Sequence, residues 1–152
     1  MNSFLDPACV ADTLSRLSRL QSSTPAQWGK MNAKQVICHL ADSFRLGLGQ
    51  RQVQSQSGVI QRTLVKTVAL RLPLPWPKGI RTMPEADQQL GGTPPIEFAS
   101  DMQNLVAMIQ RFTNQNRDFK FGLHPLFAAM SEWEWMRWAY LHVDHHLRQF
   151  GL

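Results

Sequence analysis

Apolar residues recur at helical spacing in five stretches of the chain, and none alternates in the two-residue rhythm of a strand. In the first stretch Ala11, Leu14, Leu17 and Leu20 follow Asp6-Pro7, an N-cap residue and a proline suited to the first helical position. The pattern predicts a helix to about Gln21. A second helix opens at Asn32, with Gln35 three residues on to complete a capping box, and places Val36, Ile37, Leu40, Phe44 and Leu48 on one face. A third covers Val59 to Leu72, with Val59, Ile60, Leu64, Val68 and Leu72 as its stripe. A fourth is expected from a Thr93 cap and Pro94 to near Asn116, with Phe98, Met102, Leu105, Ile109 and Phe112 facing inward. The last runs from Ser131 to Leu152. Ser131 and Glu134 form a second capping box, and Gly151 stands where a helix ends.

Between these stretches, Gln52 to Gly58 reads as a polar loop or frayed helix end. Pro73 to Pro95 is too rich in proline and glycine for regular helix. A connector that long inside one domain is usually functional, or is a crossover that lets two helices of a bundle run parallel. Trp76 is placed to pin it to the body. The segment from Phe119 to Met130 is rich in turn residues, and His124-Pro125 within it reads as a surface turn. The expectation is an all-α fold: one domain over residues 1–152, an up-and-down four-helix bundle with a long crossover loop and an extra short helix or loop segment.

At 152 residues with eight Phe and five Trp, the chain can bury a substantial core. Two cysteines, Cys9 and Cys38, make no disulfide framework, which points to a reduced, cytoplasmic setting. The N-terminal residues lack the basic-then-apolar layout of a signal peptide, and no apolar run is long enough to span a membrane. Net charge is +5, and from Lys30 to Arg81 nine Lys or Arg accompany a single acid, Asp42. No nucleic-acid motif accompanies that bias, so a nucleic-acid partner is not expected. A solvated basic face, or a preference for an anionic small molecule, accounts for it.

The candidate chemistry lies in the histidines. On the last helix Met136, Ala139, Tyr140, Val143, Leu147 and Phe150 share the core face at about 100° per residue. His142 and His146 stack one turn apart on its flank. Histidines at i and i+4 can place one ring nitrogen each on a single metal ion, or can simply hydrogen-bond and cover a helix flank. His145 turns about 100° away, towards the polar side with Arg137 and Arg148. On the second helix His39 lies beside the apolar face, where a lone histidine is ordinarily a core-edge residue. Cys38 points away from it and reads as a buried filler.

The segments WGKMNAKQVICHLADSFR, WPKGIRT, GGTPP, HPLFAAMSEWEW and HVDHHLRQFG together resemble the DinB/YfiT-like superfamily, and within it a DinB-related bacterial family. The similarity covers nearly the whole chain. It implies the up-and-down four-helix bundle and a divalent ion, often zinc or nickel, held by three histidines. Carried onto this sequence, these are His39 from the second helix and the His142 and His146 pair, with Gln149 three positions after the last. His145 is left off the metal. The resemblance suggests a thiol S-transferase for low-molecular-weight thiols, but carries over no catalytic residue beyond the ligands.

Three neutral imidazoles leave the ion its double charge and at least one open position, the layout of a catalytic centre. A water there implies hydrolysis, and a thiol implies transfer. Asp42, three residues after His39, is the candidate general base or the partner of a ligand imidazole. Arg45 and its basic neighbours could receive an anionic thiol substrate. The alternative is a non-enzymatic metal-binding or interaction module, including a homodimer formed through an exposed apolar face.

Overall fold

The computed structural model describes residues 1–52, 54, 58–72, 75–79 and 83–152. Parts of the expected loop after Gln52 (53, 55–57) and of the proline-rich stretch, including the end of its WPKGIRT segment (73, 74, 80–82), lie outside the described residues. The fold is all-α. Its helices are α1 (Pro7–Leu17), α2 (Ala33–Gly47), a π-helical turn (Gln61–Val65) running into α3 (Lys66–Arg71), a 3-10 turn (Pro84–Ala86), α4 (Phe98–Thr113) and α5 (Glu132–Gln149). Among the described residues the extended pairing is confined to one isolated bridge, His124 with Ala128. Among the described residues no helix is long and apolar enough to cross a membrane.

Most of the expected helix starts arise from local capping. Asp6 accepts from the Ala8 amide, and Asn32 with Gln35 and Ser131 with Glu134 each close a reciprocal box. Helix α1 stops at Leu17, four residues short of the expected end. Helix α4 differs at both ends. Its N-cap is Glu97, whose carboxylate takes the Ala99 and Ser100 amides, and not Thr93. The Thr93 amide and hydroxyl are held elsewhere, by Asp42 at 2.8 and 2.7 Å. A tertiary partner there overrides the local capping preference. Helix α4 ends at Thr113.

The core lies where α2 and α5 meet, with α4 against α2 and α1 against α5. Leu105, Ile109 and Phe112 from α4 are buried against the inner face of α2, while Phe112, Phe121 and Trp135 form an aromatic cluster. The core face expected for α5 is buried throughout.

Helix α3 and the π turn depart most from the pattern. Their expected apolar stripe faces outward, with Val59 78 % and Ile60 and Leu64 each 64 % exposed. Polar anchors set this orientation. Arg137 on α5 donates through Nε to the Leu70 carbonyl at 3.1 Å and through Nη1 to Asn2, and Lys66 pairs with Glu134 at 3.0 Å. Leu70 alone of this segment is fully buried. Thr63 and Thr67 bond back to carbonyls four residues earlier, an interaction that loosens helical turns. Arg137 is itself buried rather than on a polar face.

Candidate metal centre

Helices α2 and α5 cross so that His39, His142 and His146 meet. Their ring centroids form a nearly equilateral triangle with sides of 5.0, 4.9 and 5.0 Å. One nitrogen from each lies within 4.8 Å of the others. The Nε2 atoms of His39 and His142 are 3.1 Å apart. Nitrogens bound to one tetrahedral ion at about 2.05 Å stand roughly 3.3 Å apart, so this spacing suits a shared cation.

Two of the rings are oriented from behind. His39 Nδ1 lies 2.8 Å from the Ala86 carbonyl, which can only accept, so Nδ1 carries the proton and Nε2 presents a lone pair. His146 Nδ1 lies 2.9 Å from Gln149 Oε1. The amide of Gln149 cannot turn round, because its Nε2 donates to the Trp28 carbonyl at 2.8 Å. His146 is therefore also protonated at Nδ1 and free at Nε2. His142 is wedged between Trp138 and Trp76, with centroids 4.8 and 6.1 Å away. Its Nε2 proton can be donated only while His39 Nε2 is free to accept it, and a tautomer shift exposes the third lone pair.

Burial holds all three imidazoles below their ordinary range, His142 and His146 well below it, with the neighbouring rings adding to the effect for those two. Neutral imidazole is the form that ligates. Helix packing, tautomers and charge state together make a donor set that fits a divalent cation.

Residues 5–151 match the family described as "Protein of unknown function (DUF1569)". The chain belongs to that family. No curated protein and no solved structure matches it.

In this DUF1569 chain the carboxylate of Asp42 is fully buried and fully engaged. Oδ1 faces Arg45, Arg51 and the Thr93 hydroxyl at 2.8, 2.6 and 2.7 Å, and Oδ2 takes the Thr93 amide and Gln88. It touches no imidazole, and the partner of His39 is the Ala86 carbonyl. Asp42 thus fastens the segment from Gln88 to Thr93, which follows Ala86. Arg45, expected to receive an anion, is held by Asp42, and Arg51 also donates to the Gly91 carbonyl at 2.7 Å.

Two histidines sit differently from their sequence expectation. His145 is 8 % exposed because the connecting loops cover it, with Trp28 at 4.7 Å and Trp76 at 6.3 Å between centroids. Its ring lies outside the three-histidine group; the solvent expected there is replaced by tryptophan. His124 is 5 % exposed, stacked on Phe127 and set edge-on against Trp138. Its Nδ1 accepts the Leu126 and Phe127 amides, so it organises the turn before α5. Trp76 does pin its loop, donating Nε1 to the Ala69 carbonyl at 3.0 Å. Cys38 is buried, and burial with Asp101 nearby pushes its thiol up to about 12, away from ligand chemistry.

Burial pushes His124 down from 6.5 to about 3. Between those values the unfolded chain holds a proton that the native chain lacks, so stability rises with pH across this window. The contribution is complete above 6.5 and is lost on acidification at about 1.4 kcal/mol per pH unit. Urea unfolding between pH 4 and 7 should therefore show a slope shallower by one proton in His124→Gln than in the parent chain.

Gly29 controls the support behind His146. Its φ is +81°, and a Cβ there would stand 2.6 Å from Gln149 Nε2. Gly29→Ala should displace Gln149 and release His146. The expected result is a loss of zinc affinity approaching that of Gln149→Ala, about 10–100-fold for an outer partner of a ligand imidazole. Competition titration against a chelating dye measures both.

Proposed function

We propose that this protein is a divalent-metal enzyme whose ion, zinc or nickel, is held by His39, His142 and His146, and that it acts on a small molecule by thiol transfer. The observation that carries this reading is the convergence of three neutral imidazoles, His39 buried and His142 and His146 half-buried, two with their tautomers set from behind, at the wall of a cavity of about 470 Å³. Three protein ligands leave a position free, as catalytic centres do. When bound, the ion would supply a Lewis acid that lowers the pKa of a thiol or water at that position. The chain's own part is to fix the rings, exclude water with Trp76, Trp138 and Phe127, and hold the 84–93 segment through Asp42.

Transfer is preferred to hydrolysis because Asp42, the one carboxylate lining the cavity among the described residues, is committed to its arginines and to Thr93. Water activation calls for a base with a free lone pair. The finer architecture belongs to the same proposal: α1, α2, α4 and α5 as an up-and-down bundle of the DinB/YfiT kind, with a long crossover between α2 and α4. The contacts of α2 with α4 and α5, and of α1 with α5, support it. A second reading, an interaction module, draws on the outward stripe of the segment from Val59 to Leu72.

Cobalt substitution tests the enzymatic reading. A d–d spectrum of an open four-coordinate centre, with a sulfur-to-metal band appearing on addition of a thiol, is expected. A protein that takes up no cobalt, or whose spectrum ignores thiols, contradicts it.

A further inference from the structure

The cavity that borders the three histidines has a chemistry of its own, and we propose that it selects an uncharged, aryl-bearing small molecule. This rests on the preceding reading only for which end of the molecule reacts. At about 470 Å³ the cavity is the size of small-ligand sites. Its walls include Trp76, Trp138, Phe127, Leu126, Val68 and Met83. Trp76 and Trp138 both lie against the His142 ring, so flat aromatic surfaces frame the approach to the histidines.

The formal charges are engaged within the protein, where Arg45 and Arg51 share the carboxylate of Asp42 and leave that cluster a net charge of +1. Apart from the histidines, Asp42 and Arg51 are the ionisable residues lining the cavity among the described residues, and they pair with each other at 2.6 Å. Arg51 Nη1 also donates to the Thr93 hydroxyl and Nη2 to the Gly91 carbonyl, and the remaining lone pairs of Asp42 go to Arg45, Thr93 and Gln88. The Ser43 hydroxyl donates to the His39 carbonyl. His124 Nδ1 is taken by two amides of its own turn. A ligand carboxylate far from the histidines would give up water, and among the described residues the one Lys or Arg lining the cavity, Arg51, already points at Asp42, Thr93 and the Gly91 carbonyl. A flat apolar body would meet the carbon surfaces of Trp76, Trp138, Phe127, Leu126, Val68 and Met83. The polar capacity is gathered at one end, with His39, His142, His146 and His145. The chemistry that fits is one polar reactive group on an uncharged aromatic frame, and not the anionic thiol that the basic composition suggests.

The test uses full-length protein, first stripped with a chelator and then saturated with zinc. N-phenyl-1-naphthylamine, an uncharged fluorophore, is titrated in and displaced by 2-naphthalenemethanol or by 2-naphthoate, which share a ring system and differ in charge. Expected are one saturable site and, in the stripped protein, at least a tenfold preference for the alcohol. Val68→Glu, on a half-exposed wall position, should weaken the fluorophore at least tenfold with an unchanged helical circular dichroism spectrum. Equal or better competition by naphthoate in the stripped protein, no saturable site, or an unaffected Val68→Glu protein overturns the proposal. Zinc stoichiometry on the same samples separates it from the metal reading. Retained selectivity without zinc binding strikes that reading alone, and zinc binding without a fluorophore site strikes this one alone.

Discussion

Zinc affinity of the His146→Ala protein is expected to fall by far more than the roughly hundredfold that an outer partner commands, while the fold persists. Removing one imidazole from a three-donor set leaves a two-point chelate, and the lost ring was already neutral and oriented. His39→Ala and His142→Ala should behave alike, since their Nε2 atoms face each other at 3.1 Å. His145→Ala should retain zinc, because that ring packs on Trp28 and Trp76 instead of joining the triangle. Competition titration against a chelating dye reads all four variants. A His145→Ala protein that loses zinc as His146→Ala does would contradict the ligand assignment.

Stability responds most to Asp42. Its carboxylate is the one anion facing two guanidinium groups, and it ties α2 to Thr93 and Gln88. Asp42→Ala leaves Arg45 and Arg51 facing each other without their shared counter-ion and frees the Thr93 amide. Breaking a buried ion pair from one side costs about 3–5 kcal/mol. Urea unfolding at pH 7 should show a loss of that size, with about one equivalent of zinc still bound at saturating concentration. The segment following Ala86 is slackened, so zinc affinity should drop moderately, within the 10–100-fold range of an orienting group. A stability change below about 1 kcal/mol would remove the clamp, and complete loss of zinc would make Asp42 a ligand.

The parts of the fold that could be read in advance are those written within one or two turns. Asn32 with Gln35, and Ser131 with Glu134, declare helix starts three residues apart. The face of α5 and the stacking of His142 on His146 follow from the turn angle. His39 was only a core-edge residue by angle, and its place beside the pair came from resemblance. What stayed hidden depends on partners far along the chain. Thr93 has the look of a cap but answers to Asp42, 51 residues earlier. The stripe from Val59 to Leu72 has the period of a buried face. Its helix is nevertheless turned by Arg137 and Lys66, polar anchors that periodicity does not weigh. His124 reads as a surface turn residue from its proline neighbour, and His145 as a polar-side residue from its angle; Phe127 within the turn and tryptophans from other segments bury them. The basic composition suggests an anionic ligand, yet Arg51, which lines the cavity, and Arg45 both point at Asp42.

The most direct measurement of the central claim is anomalous diffraction at the zinc edge from crystals grown with one equivalent of zinc. A single peak about 2.0–2.1 Å from Nε2 of His39, His142 and His146 together, with a fourth position open to solvent or ligand, is the predicted result. A peak that leaves any of the three rings beyond bonding distance, or no peak between α2 and α5, would contradict it.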